Sequence, residues 1–387
     1  MENLFLDIGC VSLNKHSESI CGDNYYIVHS SPYKHTVVLS DGLGSGVKAN
    51  ILSTLTSKII STMLSRNMNI DDCTETVART LPMCKERKLA YATFSALQID
   101  GNIAYLAQYD NPPAILLRDG KNVPYQSDVK FIGEKEIQET RLALMENDIL
   151  ILMTDGITNA GVGKLMPDGW PREDVIKLVE ETYTPEIPVQ SIAATIVRGA
   201  AALSLDSVDD DTTVVALKLR PRSAVNVMMG PPENREDDNK ILRLFFSKSG
   251  KHVVCGGSTA GVVSNYLGKT VTPLVDTEDE EVPCMSHIDG VDLVTEGVIT
   301  LNKTVEVVKE YANDNMLSLE LKNKHDGAST LARLLIEDAT DISIFFGTAV
   351  NPAHDGLDID YHKKLTLMHE LADALTNMGK NVKISMC

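Results

Sequence analysis

Positive charge is scarce in this chain: 36 Lys and Arg stand against 54 Asp and Glu, a formal net charge of −18 over 387 residues. A nucleic-acid surface needs clustered cations to displace counterions from phosphates, and no such cluster occurs, so no nucleic-acid partner is expected. Long apolar runs are missing too. None reaches the ~18 residues of a membrane span. The opening "MENLFLDIGC" lacks the basic start and apolar core of a signal peptide. No membrane partner is therefore expected. The seven cysteines (Cys10, Cys21, Cys73, Cys84, Cys255, Cys284, Cys387) include no C-x-x-C pair. An odd, scattered set reads as reduced thiols and predicts a cytoplasmic location. Internal repeats and low-complexity tracts are also absent.

What is present is ordinary globular material, 43% hydrophobic and 23% charged, in a chain long enough for two domains. The runs "FLDIGCVSL", "NYYIVH" and "HTVVLS" read as strands. Residues 49–66 place Leu52, Leu55, Ile59 and Met63 on one helical face. "DDCTETVARTLPMC" predicts a second helix, capped by Asp71 or Asp72 and ending near Pro82. Turn signals at Asp100-Gly101-Asn102 and Asp119-Gly120 predict an antiparallel meander over the strand-like runs between 91 and 121. "NDILILMTDGI" is a buried strand, 189–205 an amphipathic helix, and "DDTTVVALKL" a closing strand. The pattern breaks at "RPRS", which sets domains at 1–222 and 223–387. Beyond it, strands and helices alternate, including helices at 302–313, 327–337 and 361–378, the last with Leu365, Met368, Leu371, Leu375 and Met378 on one face. The prediction is α/β overall, with a C-terminal three-layer α/β domain around a mostly parallel sheet.

The most informative stretch is "VVLSDGLGSGVKAN", residues 37–50. It fails the P-loop template, because Lys48 follows Gly46 by two and precedes Ala49. It also fails the dinucleotide template, since Gly42, Gly44 and Gly46 give G-x-G-x-G. A carboxylate at Asp41 would repel phosphate unless a cation lay between them. Acids recur at other strand ends: Asp155-Gly156 after a β run, Asp209-Asp210-Asp211 before one, and Asp23 before another. Hard oxygen donors of this kind suit Mg²⁺ or Mn²⁺. Taken singly, Asp-Gly is also simply a common turn dipeptide.

In order, "CGDN", "LSDGLGSG", "TDGI" and "DD-x-T-V", with "NPPAILLRDGK" at 111–121, resemble the metal-dependent protein Ser/Thr phosphatases (the PPM family). The likeness is to the bacterial stage II sporulation protein E-like branch, over about the first 220 residues. The resemblance implies an α+β antiparallel β-sandwich flanked by helices. It implies two Mn²⁺ or Mg²⁺ ions, with Asp41 bridging, the Gly42 carbonyl on the first ion, and Asp23, Asp155 and Asp210 completing the second site. Asp211 would be a follower and Asp209 a solvated turn residue. A water shared by two such ions becomes the nucleophile on phosphorus. The implied substrate is a phosphorylated protein, such as an anti-sigma-factor antagonist. The phosphate-contacting Arg found near the N-terminus of larger eukaryotic members has no counterpart, the first Arg being Arg66.

In the second half, glycine turns follow predicted strands at 230–234, 256–261, 295–297 and 347–352. Gly256, Gly257, Ser258, Thr259 and Glu296 form a candidate small-molecule or phosphate pocket. Ser258 or Thr259 would equally serve as a helix N-cap. Cys284 and His287 would make half of a soft-metal site, with Cys255 or His354 completing it; packed or surface residues are the plainer alternative. "GGSTAGVVSNYLG" with "VDLVTEGV" faintly resembles sugar-phosphate effector domains of the DeoR and isomerase type. Three functions follow: a metal-dependent phosphoserine/phosphothreonine phosphatase with a C-terminal sensor, a catalytically weak phosphatase-like binding module, or a sugar-phosphate sensor centred on the second domain.

Overall fold

The computed structural model describes residues 4–81, 92–133, 135–275, 281–313, 317–349 and 359–387. Pro82, Cys84 and His354, named above, lie outside them. The chain divides into two compact units, Met1–Pro221 and Arg222–Cys387.

Unit 1 stacks two antiparallel sheets. The six-stranded sheet contains β2 (Asp23–Ser31), β3 (Lys34–Gly42), β4 (Ala92–Asp100), β5 (Ile103–Tyr109), β8 (Asp128–Ile132) and β9 (Lys135–Ala143), ordered β2-β3-β4-β5-β9-β8. The five-stranded sheet contains β1 (Leu4–Leu13), β6 (Ile115–Arg118), β7 (Lys121–Asn122), β10 (Ile149–Met153) and β11 (Thr212–Pro221), ordered β1-β11-β10-β6-β7. Period-two alternation sorts the side chains. Val37 and Leu39 of β3 enter the core with Leu6, Leu150 and Val215, while Val38 turns to the helices with Phe94. The run "VVL" is continuously apolar because that strand is buried on both faces.

The meander holds only in part. The turn Gly101-Asn102 closes β4 on β5, and Asp119-Gly120, both at positive φ, close β6 on β7. Yet β5 pairs with β9, and β6 joins the other sheet beside β10. Asn111-Pro112-Pro113 intervenes, and two prolines without N–H groups cannot carry a ladder onward.

Two helices cover the six-stranded sheet, α1 (Gly46–Ser65) and α2 (Ile70–Thr80). The α1 face is rotated from the expectation. Ala49, Leu52, Ser53, Thr56, Ser57, Ile60, Ser61 and Leu64 are buried, and Leu55, Ile59 and Met63 only flank them. The buried hydroxyls of Ser53, Ser57 and Ser61 donate to carbonyls three residues back, which satisfies them locally. The α2 cap is Asn69, whose side chain accepts from Asp72 N, rather than Asp71 or Asp72. On the other sheet, α5 (Val189–Leu203) lies so close to β1 that a Cβ on Gly9 would sit 2.5 Å from Gln190 backbone. The Gln190 side chain pairs with Cys10 N and O as a further strand would.

Unit 2 is a seven-stranded sheet. Its parallel body is β16 (Leu293–Thr295), β13 (Lys251–Cys255), β12 (Ala224–Met229), β17 (Asp341–Phe346) and β18 (Asn381–Met386). An antiparallel margin of β14 (Thr272–Leu274) and β15 (Met285–His287) precedes β16 in the order. Val225, Val227 and Ile344 face Leu301 and Val305 of α8 (Val298–Asn313) and Met368 and Leu371 of α11 (Ile359–Asn377). Met228, Val254 and Phe345 face Phe245 of α6 (Asp238–Ser247) and Val263 of α7 (Gly257–Leu267). Helices on both faces make three layers, as expected for a parallel sheet.

Candidate metal centre

Four strand termini meet at one end of unit 1. Asp23 opens β2 and Asp41 sits one residue before the end of β3, and the two are register partners. Strand β10 ends at Met153, and Asp155 begins the short helix α3 (Asp155–Thr158). Asp210 and Asp211 directly precede β11, the neighbour of β10. The β10 and β11 ends are pinned by Thr154. Its N–H donates to Thr213 O (3.0 Å), and its hydroxyl accepts from Thr213 N (2.9 Å). The same hydroxyl donates to Asp23 Oδ2 at 2.8 Å, tying one sheet to the other.

Glycines allow this crowding. A Cβ on Gly42 would fall 2.0 Å from Ala49 O, and one on Gly156 would fall 2.1 Å from Asp211 O. Gly46 begins α1 at positive φ, and the Glu18 carboxylate lies beside it, accepting from the Ser45 hydroxyl at 3.1 Å.

The electrostatics register the convergence. Burial first, then the charges of Asp23 and Asp155 and a side-chain contact with Asp155, hold Asp41 well above the ordinary carboxylate range. Burial also raises Asp23, with Asp211 and Asp210 adding to it against hydrogen bonds from Thr213 and Thr154. Asp210 is raised by burial and then by Asp155, with Lys15 opposing. Asp23 Oδ1, Asp155 Oδ1 and Asp211 Oδ2 are buried without a hydrogen-bond partner. Unpartnered carboxylate oxygens under mutual repulsion fit cation ligands, and a hard oxygen donor set fits Mg²⁺ or Mn²⁺. Among the described residues, however, no group of three or more His, Cys, Asp or Glu is already drawn together at metal-binding spacing.

Asp209 is exposed and pairs with Lys164 at 2.7 Å, apart from the cluster. Asp211, the follower of Asp210, is 3% exposed, and its Oδ1 accepts from Lys15 N at 3.0 Å. Sequence reading missed Thr154 and the burial of Asp211. The signal was there, in a hydroxyl residue directly before Asp-Gly and a third Asp directly before the strand.

In unit 2 the expected pocket residues do gather. Gly256, at φ 109°, is the N-cap of α7 and donates to Thr295 O. Thr259 is buried and accepts from Gly230 N while donating to Cys255 O, so it joins two strand ends and is not the cap. Ser258 is exposed. Glu296 brings a carboxylate oxygen within 3.5 Å of a Cβ built on Gly257, at the start of α7. A carboxylate there occupies the favourable potential of the helix terminus and opposes phosphate. Where β12 and β17 adjoin, the crevice is filled by backbone: a Cβ on Gly347 would lie 2.1 Å from Pro231 O. Cys284 and His287 flank or end β15 and join no metal-binding group among the described residues.

A family model described as "Stage II sporulation protein E (SpoIIE)" matches residues 32–220. Stage II sporulation protein E of Priestia megaterium is 23% identical over 221 residues, 56% of this chain and 36% of that protein. Its Bacillus subtilis (strain 168) counterpart is 22% identical over 205 residues, 52% of this chain and 24% of that protein. The chain thus matches about a third or less of these relatives' length. A structure of the PP2C phosphatase domain and a regulatory-domain fragment of SpoIIE from Bacillus subtilis aligns at 19% identity and TM-score 0.48, covering 57% of this chain and 64% of that one. Residues 32–220, most of unit 1, are thus similar to the stage II sporulation protein E family of PPM-type phosphatases. No helix among the described residues is long and apolar enough to cross a membrane.

Proposed function

We propose that the protein is a Mn²⁺- or Mg²⁺-dependent phosphoprotein phosphatase acting on phosphoserine or phosphothreonine. The observation that carries this reading is the convergence of Asp23, Asp41, Asp155 and Asp210 from four separate strand termini, with a buried, unpartnered carboxylate oxygen on Asp23 and on Asp155. Asp41 and the Gly42 carbonyl would hold one ion, and Asp41, Asp23, Asp155 and Asp210 a second. Ions held there supply Lewis-acid charge for the phosphoryl group and bring the pKa of water towards neutrality.

The protein's own groups prepare that site. Thr154 fixes the Asp23 carboxylate through its hydroxyl and holds the β10 and β11 ends in register. Lys15 N fixes Asp211, which buttresses the turn carrying Asp210. Burial keeps the carboxylates in a low-dielectric setting, where opposite charge is worth most. The substrate would be a phosphorylated regulatory protein in bacterial signalling, such as an anti-sigma-factor antagonist, in the cytoplasm. Unit 2 would bind a ligand or partner and regulate; the Glu296 carboxylate favours a cationic or hydroxyl-bearing ligand over a sugar phosphate.

Hydrolysis of p-nitrophenyl phosphate and a phosphoserine peptide by the full chain, with and without Mn²⁺, tests the reading. Metal-dependent turnover that disappears in both Asp41→Asn and Asp155→Asn is expected. Failure of the Mn²⁺-loaded protein on every phosphoester would favour a phosphatase-like binding module.

A further inference from the structure

A cavity of about 490 Å³ opens beside the acidic cluster, lined by Asp155 and Thr158 at the cluster and by Asn111, Asp110, Glu136 and Arg172 elsewhere. Among the described residues, Arg172 is the only cationic side chain in that lining. It stands as the first residue of α4 (Arg172–Thr182), where the helix dipole disfavours positive charge and where Glu173 and Asp174 follow in the expected sense. A residue placed against a local rule needs a compensating reason.

Two carbonyls hold the guanidinium in place. Nε donates to Pro113 O and Nη2 to Ala114 O, each at 2.9 Å. The Asn111–Ala114 wall is itself braced: Gln108 donates to Pro112 O and accepts from Ala114 N, Asn111 donates to Ser95, and the Tyr125 hydroxyl donates to Ala114 O. Arg172 forms no ion pair among the described residues. A guanidinium carries five N–H donors in a rigid fork, so three remain outside these two bonds. The fork is therefore oriented in advance, in a cavity that shares Asp155 with the metal centre.

We propose that Arg172 is a phosphate-binding residue, gripping the phosphoryl oxygens of a substrate or product seated between it and the metal centre. The proposal rests on the phosphatase reading of that centre. Carboxylates at Asp155, Asp110 and Glu136 repel a phosphate dianion, and Arg172 supplies the opposing charge and the paired donors.

Titration calorimetry of the Mn²⁺-loaded full chain with inorganic phosphate tests this directly. Arg172→Gln should weaken phosphate binding roughly ten- to a hundredfold, the range for lost hydrogen bonds to a charged group. Arg172→Lys, which keeps the charge but not the fork, should fall between. Mn²⁺ affinity and thermal midpoint should change little in both variants. Phosphate binding by Arg172→Gln within about twofold of wild type would overturn the proposal, as would equal losses of Mn²⁺ and phosphate affinity, which mark a structural role. The two readings also fail separately. Arg172-dependent phosphate binding without phosphoester hydrolysis removes the phosphatase and keeps the site, whereas metal-dependent hydrolysis undiminished in Arg172→Gln does the reverse.

Discussion

Asp23 and Asp41 are register partners across the β2–β3 ladder, two carboxylates facing each other at a strand end where a β-sheet ordinarily avoids like charges. Both are held above the ordinary carboxylate range, with burial the largest cause. The pairing is a stability defect without a cation and a ligand pair with one.

Removing one charge should therefore separate stability from binding. Asp41→Asn is expected to raise the melting temperature of metal-free protein by about 2–4 °C, the size of a ~1 kcal/mol relief in a domain this large. The same variant should lose the further rise that Mn²⁺ gives wild type. Differential scanning calorimetry with and without Mn²⁺ checks both halves.

Thr154 is buried, donating to Asp23 and accepting from Thr213 N. Thr154→Val keeps the shape and strands both partners, which should cost about 1–3 kcal/mol. Thr154→Ser should recover most of it. Urea unfolding of the two variants, followed through Trp170 in unit 1, supplies the comparison.

Gly156→Ala would place a Cβ 2.1 Å from Asp211 O and 2.7 Å from Thr212 Oγ1. Backbone must shift, at a cost of about 1–3 kcal/mol or more. Because Asp155 and Asp211 border the clash, Mn²⁺ affinity should fall with stability. Gly44→Ala adds no atom near a neighbour, though its φ of 100° makes it a strain control.

In unit 2, Asp341 accepts from Arg222, Thr340 and Asn381. Burial would raise its pKa, but these bonds outweigh that and lower it from 3.8. A depressed carboxylate contributes stability above its unfolded value, and that contribution is lost as pH falls through the folded one. Arg222→Gln should thus lower unit 2 stability near neutrality and flatten its decline below about pH 4. Amide exchange in β17 across that range reads the slope.

The acidic strand ends were legible because each Asp abuts a recognisable β run, as at "LILMTDG". Fold class was equally legible in both units, from turn dipeptides in one and strand–helix alternation in the other. Less could be read where tertiary contacts decide. The buried face of α1 is lined by Ser53, Ser57 and Ser61, whose hydroxyls are satisfied within the helix, and hydrophobic periodicity cannot see such a face. The exchange of β6 into the second sheet is set by pairing between distant segments. Arg172 reaches the cavity only because α4 returns to Pro113 and Ala114, 59 and 58 residues earlier in the chain.

The central claim is that Asp23, Asp41, Asp155 and Asp210 enclose a divalent cation. Crystals soaked in Mn²⁺ and measured at the manganese absorption edge test it most directly. The account predicts anomalous density bounded by these four carboxylates and the Gly42 carbonyl. Anomalous density elsewhere, or none at millimolar Mn²⁺, would contradict it.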